Sequence, residues 1–174
     1  MHGNIAVAQQ AQEGRALCRW GDPGFGTLVR RGKQQDHFDE QLVEAAAGLI
    51  VNRWRPNPPP IWITYVPSRR HQTLVADFAR RLARRMGLPF VECIHKVKDT
   101  EPQKTRANSF QQAQNLVGAF VVDPATARPG PVLLVDDIVD SKWTFTVTAA
   151  LLRQAGSSMV YPFALADTSS EGND

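Results

Sequence analysis

Three acids and two hydroxyls lie within nine residues of the chain, directly after the apolar run 132–135. They are Asp136, Asp137, Asp140, Ser141 and Thr144. Adjacent carboxylates suit the hydroxyls of a sugar or a metal ion, and hydroxyls with backbone N–H groups at the start of a helix suit a phosphate. Because ligands of open α/β sheets bind at the carboxyl ends of strands, this segment predicts a site for a sugar phosphate.

The same residue types also occur where no ligand binds. Asp, Ser and Thr are common helix caps, so a helix that begins near Thr144 would explain some of them structurally. A single acid after a strand would more often be a cap. The group of three acids and two hydroxyls after a wholly apolar strand favours a functional site.

The rest of the chain alternates between helix-like and strand-like segments. A helical repeat over 38–54 is stopped by the prolines of 57–60. A second repeat, over 74–86, ends at Gly87, a residue type typical of helix C-termini. Apolar and β-branched runs predict strands at 61–66, 90–94, 118–122, 132–135 and 159–165, with a third helix at 144–154. This alternation predicts an α/β domain with a mostly parallel, twisted sheet flanked by helices.

The two ends of the chain lack this rhythm. Residues 1–37 have little periodicity and are predicted to form a small N-terminal flap or hood, with a short strand at 27–30 before a basic tip. The main domain is predicted to span 38–167, and 168–174 to be a loose tail. Within the main domain, the polar stretch 95–114 predicts a long loop, and loops of that length are often functional lids.

Composition excludes several classes of protein. The 174 residues include 20 basic and 17 acidic ones, and the formal charge of +3 permits an anionic partner without requiring one. Cys18 and Cys93 do not have the spacing of a zinc site or a disulfide scaffold, and no metal-ligating set of side chains is predicted. No secretory signal is recognisable, and the longest apolar run, 45–51, is too short to cross a membrane. The cytoplasm is the expected compartment.

The segment 132–144 resembles the phosphoribosyl pyrophosphate (PRPP) motif of type I phosphoribosyltransferases, in which two acids follow an apolar strand and a Thr- and Gly-containing loop leads into a helix. The run 66–70 resembles the pyrophosphate loop of that family, and 96–120 resembles the mobile loop of its ComF-like branch. The runs 140–144 and 161–166 are more similar still to the phosphoribosyltransferase-like domain at the C-terminus of some RecQ-family DNA helicases. The resemblance covers about residues 38–167 and implies the type I phosphoribosyltransferase fold.

The resemblance also implies roles for the matching residues of the PRPP motif. Asp136 and Asp137 would hold the ribose hydroxyls. Asp140 would lie beside the base and assist proton transfer, which makes it the candidate catalytic residue. The 5′-phosphate would be bound by Asp140, Ser141, Lys142, Trp143 and Thr144.

The pyrophosphate of PRPP, with Mg²⁺ as cofactor, would be bound by the loop that contains Ser68, Arg69 and Arg70. The mobile loop with Gln103 and Lys104 would cover the site. A domain of this kind would bind PRPP or a ribose 5-phosphate compound. Whether it transfers the phosphoribosyl group to an acceptor, and to which one, the sequence leaves open.

One position departs from the motif, because Lys142 stands where the family has Gly. Glycine allows a loop to adopt positive φ and lets the backbone approach a phosphate closely, whereas lysine is strained in that conformation. The Lys142 ammonium could add a contact to a phosphate, or its bulk could close the pocket. The neighbouring Trp143 could stack on a base or simply pack over the following helix.

Six arginines at positions 69, 70, 80, 81, 84 and 85 suggest a second reading. On a helix the last four share one face, which could follow a nucleic-acid backbone, although such rows are more often solvated surfaces. Together with the resemblance to the helicase domain, the arginines suggest an alternative function. In this alternative the chain is a non-catalytic nucleotide- or DNA-binding accessory domain that is part of, or a partner to, a RecQ-type DNA helicase. The third hypothesis is a structural domain whose pocket is a relic. The sequence also leaves open whether the protein is a homodimer.

Overall fold

The computed structural model describes residues 10–98, 118–140 and 142–168. Within these ranges the chain forms six strands and four α-helices, and a π-helical segment, Leu49–Trp54, continues the second helix. The elements are β1 (Arg15–Arg19), α1 (Phe25–Gln35), α2 (Glu40–Gly48), β2 (Trp62–Tyr65), α3 (Leu74–Met86), β3 (Ile94–Lys96), β4 (Phe120–Val122), β5 (Gly130–Val139), α4 (Trp143–Gln154) and β6 (Ser157–Asp167).

The main sheet has four strands in the order β1-β6-β5-β2, and every pair is parallel. The central strand β5 pairs with β2 on one side, where Tyr65 lies opposite Val135, and with β6 on the other. A separate antiparallel pair is formed by β3 and β4. The α/β architecture with a parallel sheet between helices is therefore confirmed.

Each face of the main sheet is covered by its own apolar core. Leu133 and Val135 point into a core shared with α1, α2 and α3, while Val132 and Leu134 point into a core shared with α4 and the β3–β4 pair. All four side chains are fully buried. This explains why the run has no polar alternation, because a strand covered on both faces needs apolar residues at every position.

The helix boundaries follow local capping chemistry. The carboxylate of Asp39 accepts a hydrogen bond from the N–H of Gln41 at 2.8 Å and so begins α2. Gly87 ends α3 in the left-handed conformation, with φ 69°, as predicted. The helix predicted over 38–54 is confirmed in extent, but its last turns are π-helical. They end at Arg55, also left-handed, before the prolines.

Three predictions of local structure are wrong. Residues 27–30, predicted as a strand, lie inside α1. Residues 90–94 do not form a strand, because Phe90 makes only an isolated bridge to Ile63 on β2. The strand begins instead at Ile94 and runs to Lys96, so the first residues of the predicted loop 95–114 belong to β3. Most of that loop lies outside the described residues.

The N-terminal part of the chain contributes to the main sheet and its core. β1 adds an edge strand beside β6, with Arg15 opposite Phe163, and α1 buries Val29 in the larger core. The division of the chain at residue 37 stays a prediction. In the parts of the chain that the structure describes, no helix combines the length and apolar character needed to span a membrane.

Candidate functional site

The two adjacent acids lie within β5 and not after it. The strand continues past Val135 to Val139, with Asp136 opposite Ala164 and Val139 opposite Asp167 on β6. The prediction that the strand ends before the acids is therefore wrong on the β6 side. On the β2 side it is right, because the last hydrogen bond there runs from the N–H of Val66 to the carbonyl of Val135, at 2.9 Å.

The acids consequently lie where β2 leaves the sheet. After β2 the chain crosses to the outer side of that strand, where Phe90 bridges to Ile63, whereas after β5 it crosses to the opposite side and forms β6. The boundary between β2 and β5 is therefore the point at which the direction of the crossovers reverses. In open α/β sheets, the crevice outside the carboxyl ends of strands at such a point is the usual ligand site.

Backbone hydrogen bonds and a lysine hold the acid pair. The N–H of Asp137 donates to Oδ1 of Asp136 at 2.8 Å, and the N–H of Ile138 donates to Oδ1 of Asp137 at 2.7 Å. The other carboxylate oxygen of Asp137, Oδ2, accepts from Nζ of Lys33 at 2.6 Å. Lys33 belongs to α1, so the N-terminal part of the chain contributes directly to the site.

The two carboxyls differ in their electrostatic environment. Burial raises the pKa of the Asp136 carboxyl well above its usual value, and the negative charge of Asp137 raises it further. The hydrogen bond from the backbone of Asp137 and the positive charge of Lys33 lower that pKa, but by less. The environment therefore favours the protonated form of Asp136, which can then donate a hydrogen bond, beside an ion-paired Asp137.

The loop after β2 lies beside the same end of α1. Ser68 Oγ accepts a hydrogen bond from the N–H of His71 at 3.3 Å, which closes a turn before α3. The His71 ring nitrogen Nδ1 lies 3.3 Å from Oδ1 of Asp36, the left-handed residue that ends α1. Arg69 and Arg70, in the predicted pyrophosphate loop after β2, are exposed.

The predicted phosphate loop is short, because α4 begins at Trp143. Asp140 is exposed and its Oδ1 accepts a hydrogen bond from the Thr168 hydroxyl at 2.9 Å. Lys142 adopts φ −69°, so the strain expected for a lysine at the glycine position does not arise. Its side chain is exposed. The Thr144 carbonyl accepts from the Thr148 hydroxyl at 2.7 Å.

Trp143 packs against the smaller core and also borders a cavity of about 480 Å³. The cavity lies between the segment that leads into β1 and the first turn of α4. Its lining includes the basic side chains of Arg15 and Lys142 together with Glu13. A volume of this size is in the range of small-molecule sites, and the cavity adjoins the predicted phosphate loop.

Several predicted site residues are brought together and others lie elsewhere. The acid pair, the loop at 68–70 and the start of α4 all lie at the carboxyl end of the sheet. Ser141, Gln103 and Lys104 lie outside the described residues. Lys33 and Asp36 were not predicted to belong to the site. The sequence signal for Lys33 was the basic run 30–33, which was predicted to be the tip of a flap, and Asp36 had no signal.

The arginine row on α3 is largely engaged within the protein. Arg81 donates to Asp77 and to Glu40, each at 3.0 Å, and Arg85 donates to Glu44 at 2.9 Å. These contacts tie α3 to α2. A DNA or helicase partner and a homodimer both stay predictions.

The acid pair offers a magnesium ion few free oxygens. Among the described residues, no group of three or more His, Cys, Asp and Glu side chains is placed to hold a metal ion. Asp137 Oδ2 is already engaged by Lys33. Mg²⁺ in phosphate sites is commonly held by one or two carboxylates and the substrate's phosphates, so the pyrophosphate of a ligand would have to supply most of its oxygens.

Comparisons with known proteins found similar solved structures but no relative in sequence. No protein-family model matches the chain, and no curated protein matches it in sequence. Among solved structures, an orotate phosphoribosyltransferase from Aeropyrum pernix is 17% identical over 74% of this chain and 61% of that one, with a TM-score of 0.46. The adenine phosphoribosyltransferase of Leishmania tarentolae is 16% identical over 74% and 72%, with a TM-score of 0.48.

A third solved structure is the adenine phosphoribosyltransferase of Thermoanaerobacter pseudethanolicus, which is 15% identical over 80% of this chain and 83% of that one, with a TM-score of 0.48. The chain thus spans less than two thirds of the length of the Aeropyrum pernix enzyme and more than two thirds of the length of the other two enzymes. Identities below 25% with TM-scores below 0.5 carry no argument about family or function. We therefore base the function proposed below on the residues of the site.

Proposed function

We propose that this chain is a phosphoribosyltransferase-type domain that binds PRPP or a ribose 5-phosphate compound at the carboxyl end of β2 and β5. The observation that carries the proposal is the position of Asp136 and Asp137, two adjacent carboxyls where β2 leaves the sheet. In open α/β sheets, ligands bind outside the carboxyl ends of the strands at such a point.

The chemistry of the surrounding groups suits the parts of such a ligand. The acid pair can accept hydrogen bonds from vicinal ribose hydroxyls, and a protonated Asp136 can also donate one. The N–H groups at the start of α4 suit the 5′-phosphate. The exposed Arg69 and Arg70 suit a pyrophosphate, since guanidinium groups bind phosphate oxygens in pairs.

Transfer of the phosphoribosyl group is the reaction that this binding mode supports. The bond between ribose C1 and the pyrophosphate oxygen breaks, a bond from C1 to the acceptor forms, and the proton lost by the acceptor passes to a base. Asp140, an exposed residue of the predicted phosphate loop, is the candidate base. The protein would contribute mainly by orienting the reactants and neutralising the leaving group.

Calorimetric titration of PRPP, with and without Mg²⁺, tests the proposal. The double variant Asp136→Asn, Asp137→Asn keeps the size of both side chains, and we expect it to bind about a hundredfold more weakly than the wild type. Glu44→Gln is the matched control, because Glu44 is an acid paired with Arg85 on the α2–α3 side; it should bind like the wild type. Equal binding by the double variant would refute the site.

A further inference from the structure

The contact between Lys33 and Asp137 joins residues that are 104 positions apart in sequence. The side chains are 26% and 13% exposed, so the pair is largely shielded from water and still partly accessible to a ligand. An ion pair in such a place is screened much less than one on the surface. The folded structure therefore places Lys33 in the candidate site.

The charges around the acid pair leave little for a metal ion to neutralise. Asp137 already has a cationic partner at 2.6 Å. The raised pKa of Asp136 favours its neutral form, so one lysine balances the pair. A divalent cation at the same place would add two positive charges next to the ammonium of Lys33, and like charges at that distance repel strongly in a partly buried site.

The hydrogen bonds to the two carboxyls also disfavour a metal ion at this place. Oδ1 of Asp136 and Oδ1 of Asp137 each accept from a backbone N–H, and Oδ2 of Asp137 accepts from Lys33. Three of the four carboxylate oxygens are thus already engaged. An ammonium has three N–H donors, so Lys33 has donors left for the oxygens of a ribose after its bond to Asp137.

We propose that Lys33 takes the place of a divalent cation at the acid pair, so that Asp136, Asp137 and Lys33 bind the ribose hydroxyls of the ligand without a metal ion between them. The inference rests on the proposed function for the nature of the ligand. It assigns Lys33 as a ligand-binding residue and restricts the role of Mg²⁺ to the pyrophosphate of PRPP.

Binding of Mn²⁺ alone, followed by electron paramagnetic resonance of the free ion, tests the cation position without any sugar ligand. We expect the wild type to bind no Mn²⁺ at this site, and Lys33→Met to bind it, because the two carboxylates then lack a cation. Adding Asp137→Asn to Lys33→Met should abolish the gained site. Arg31→Met, an exposed position on the same helix, should behave like the wild type.

Titration of ribose 5-phosphate, which has no pyrophosphate, tests the role in binding. The wild type should bind equally in EDTA and in Mg²⁺. Lys33→Met should bind about tenfold more weakly in EDTA and recover when Mg²⁺ is added. Lys33→Gln serves as a second variant if Lys33→Met unfolds, with circular dichroism as the check.

The outcomes separate the two proposals. If ribose 5-phosphate and PRPP bind to no form of the protein, the proposed function is wrong, while the Mn²⁺ result still decides whether Lys33 occupies a cation position. If the wild type binds Mn²⁺ as well as Lys33→Met does, or if neither binds it, the inference about Lys33 is overturned. Wild-type binding of ribose 5-phosphate that requires Mg²⁺ would also overturn it.

Discussion

Helices α1 and α3 pack on the same face of the sheet, and basic side chains from both contact acids. On α3, Arg81 is 17% exposed and contacts Asp77 and Glu40, while Arg85 contacts Glu44. On α1, Lys33 contacts Asp137 on the central strand of the sheet. Four arginines on one helix thus include two that hold neighbouring helices together, whereas one lysine on the other helix reaches the candidate site.

The difference shows that the position of a basic residue relative to the sheet matters more than the number of basic residues nearby. The C-terminal end of α1 lies over the carboxyl ends of β2 and β5, because it reaches Asp137 through Lys33 and His71 through Asp36. The contacts of Arg81 and Arg85 run to α2 and to α3 itself. Two substitutions, each with a control variant, test this contrast, and a pH series tests the acid pair.

The largest effect on the free energy of unfolding is expected for Gly32→Ala, which disturbs the packing of α1. A Cβ at Gly32 would collide with the ring of Phe38, a fully buried residue. Overpacking of this kind should lower the free energy of unfolding by about 2 to 3 kcal/mol, and the displaced helix should weaken PRPP binding. Urea denaturation and calorimetry measure the two effects.

Gly48→Ala is the matched control for that substitution. Gly48 has a helical backbone, with φ −60° and ψ −43°, and a Cβ there meets no atom within 4 Å. Because alanine favours helices over glycine, it should raise the free energy of unfolding by about 0.5 to 1 kcal/mol. Destabilisation by Gly48→Ala, or none by Gly32→Ala, would contradict this account of α1.

An intermediate effect is expected for Arg81→Met. The substitution removes hydrogen bonds to Asp77, to Glu40 and to the carbonyl of Phe38. The free energy of unfolding should therefore fall by about 1 to 2 kcal/mol. PRPP binding should not change. Arg84→Met, exposed on the same helix, should alter neither. Weaker PRPP binding by Arg81→Met in a folded protein would place α3 in the site.

A dependence of the free energy of unfolding on pH is expected from a single carboxyl, that of Asp136. The pKa of Asp136 is raised in the folded protein, so the folded state binds the proton more tightly than the unfolded chain does. The free energy of unfolding should therefore fall as pH rises from the usual pKa of Asp towards the raised one, by at most about 1.4 kcal/mol per pH unit, and then level off. Asp136→Asn should remove this slope in urea denaturation at several pH values. An unchanged slope would show that Asp136 does not titrate abnormally.

The fold could be predicted from the sequence where local signals are strong. The uninterrupted apolar run 132–135 marks the central strand, and the helix before Gly87 has both a periodic apolar stripe and a C-terminal glycine. Both are short-range properties of the chain. The same holds for the acids that follow the run, because their position next to a buried strand is readable without the fold.

Helix α1 could not be predicted in the same way. Gly26 and Gly32 lie within it, and glycine disfavours helices. The structure shows why Gly32 is nonetheless helical: it lets Phe38 approach the helix closely, a contact made after the chain has turned back. The strand continuing through Asp136 to Val139 also escaped prediction, because Asp is rare in strands and its pairing partner, β6, comes much later in the chain.

Lys33 was missed for a related reason. Its contact with Asp137 depends on how α1 crosses the sheet, which no pattern within either segment specifies. The strain expected at Lys142 was an error of another kind. It assumed a positive φ at that position, whereas the chain enters α4 directly with φ −69°.

The most direct test of the central claim is a PRPP titration followed by amide chemical shifts in ¹H–¹⁵N NMR spectra. The N–H groups of Asp137 and Ile138 both donate to the carboxylates of the acid pair, so they report on any ligand that engages those oxygens. We expect the largest shifts at these two amides and in the loop at 66–71, with little change along α3. Shifts confined to α3, or no shifts at saturating PRPP, would contradict the claim that the acid pair on β5 is a phosphoribosyl site.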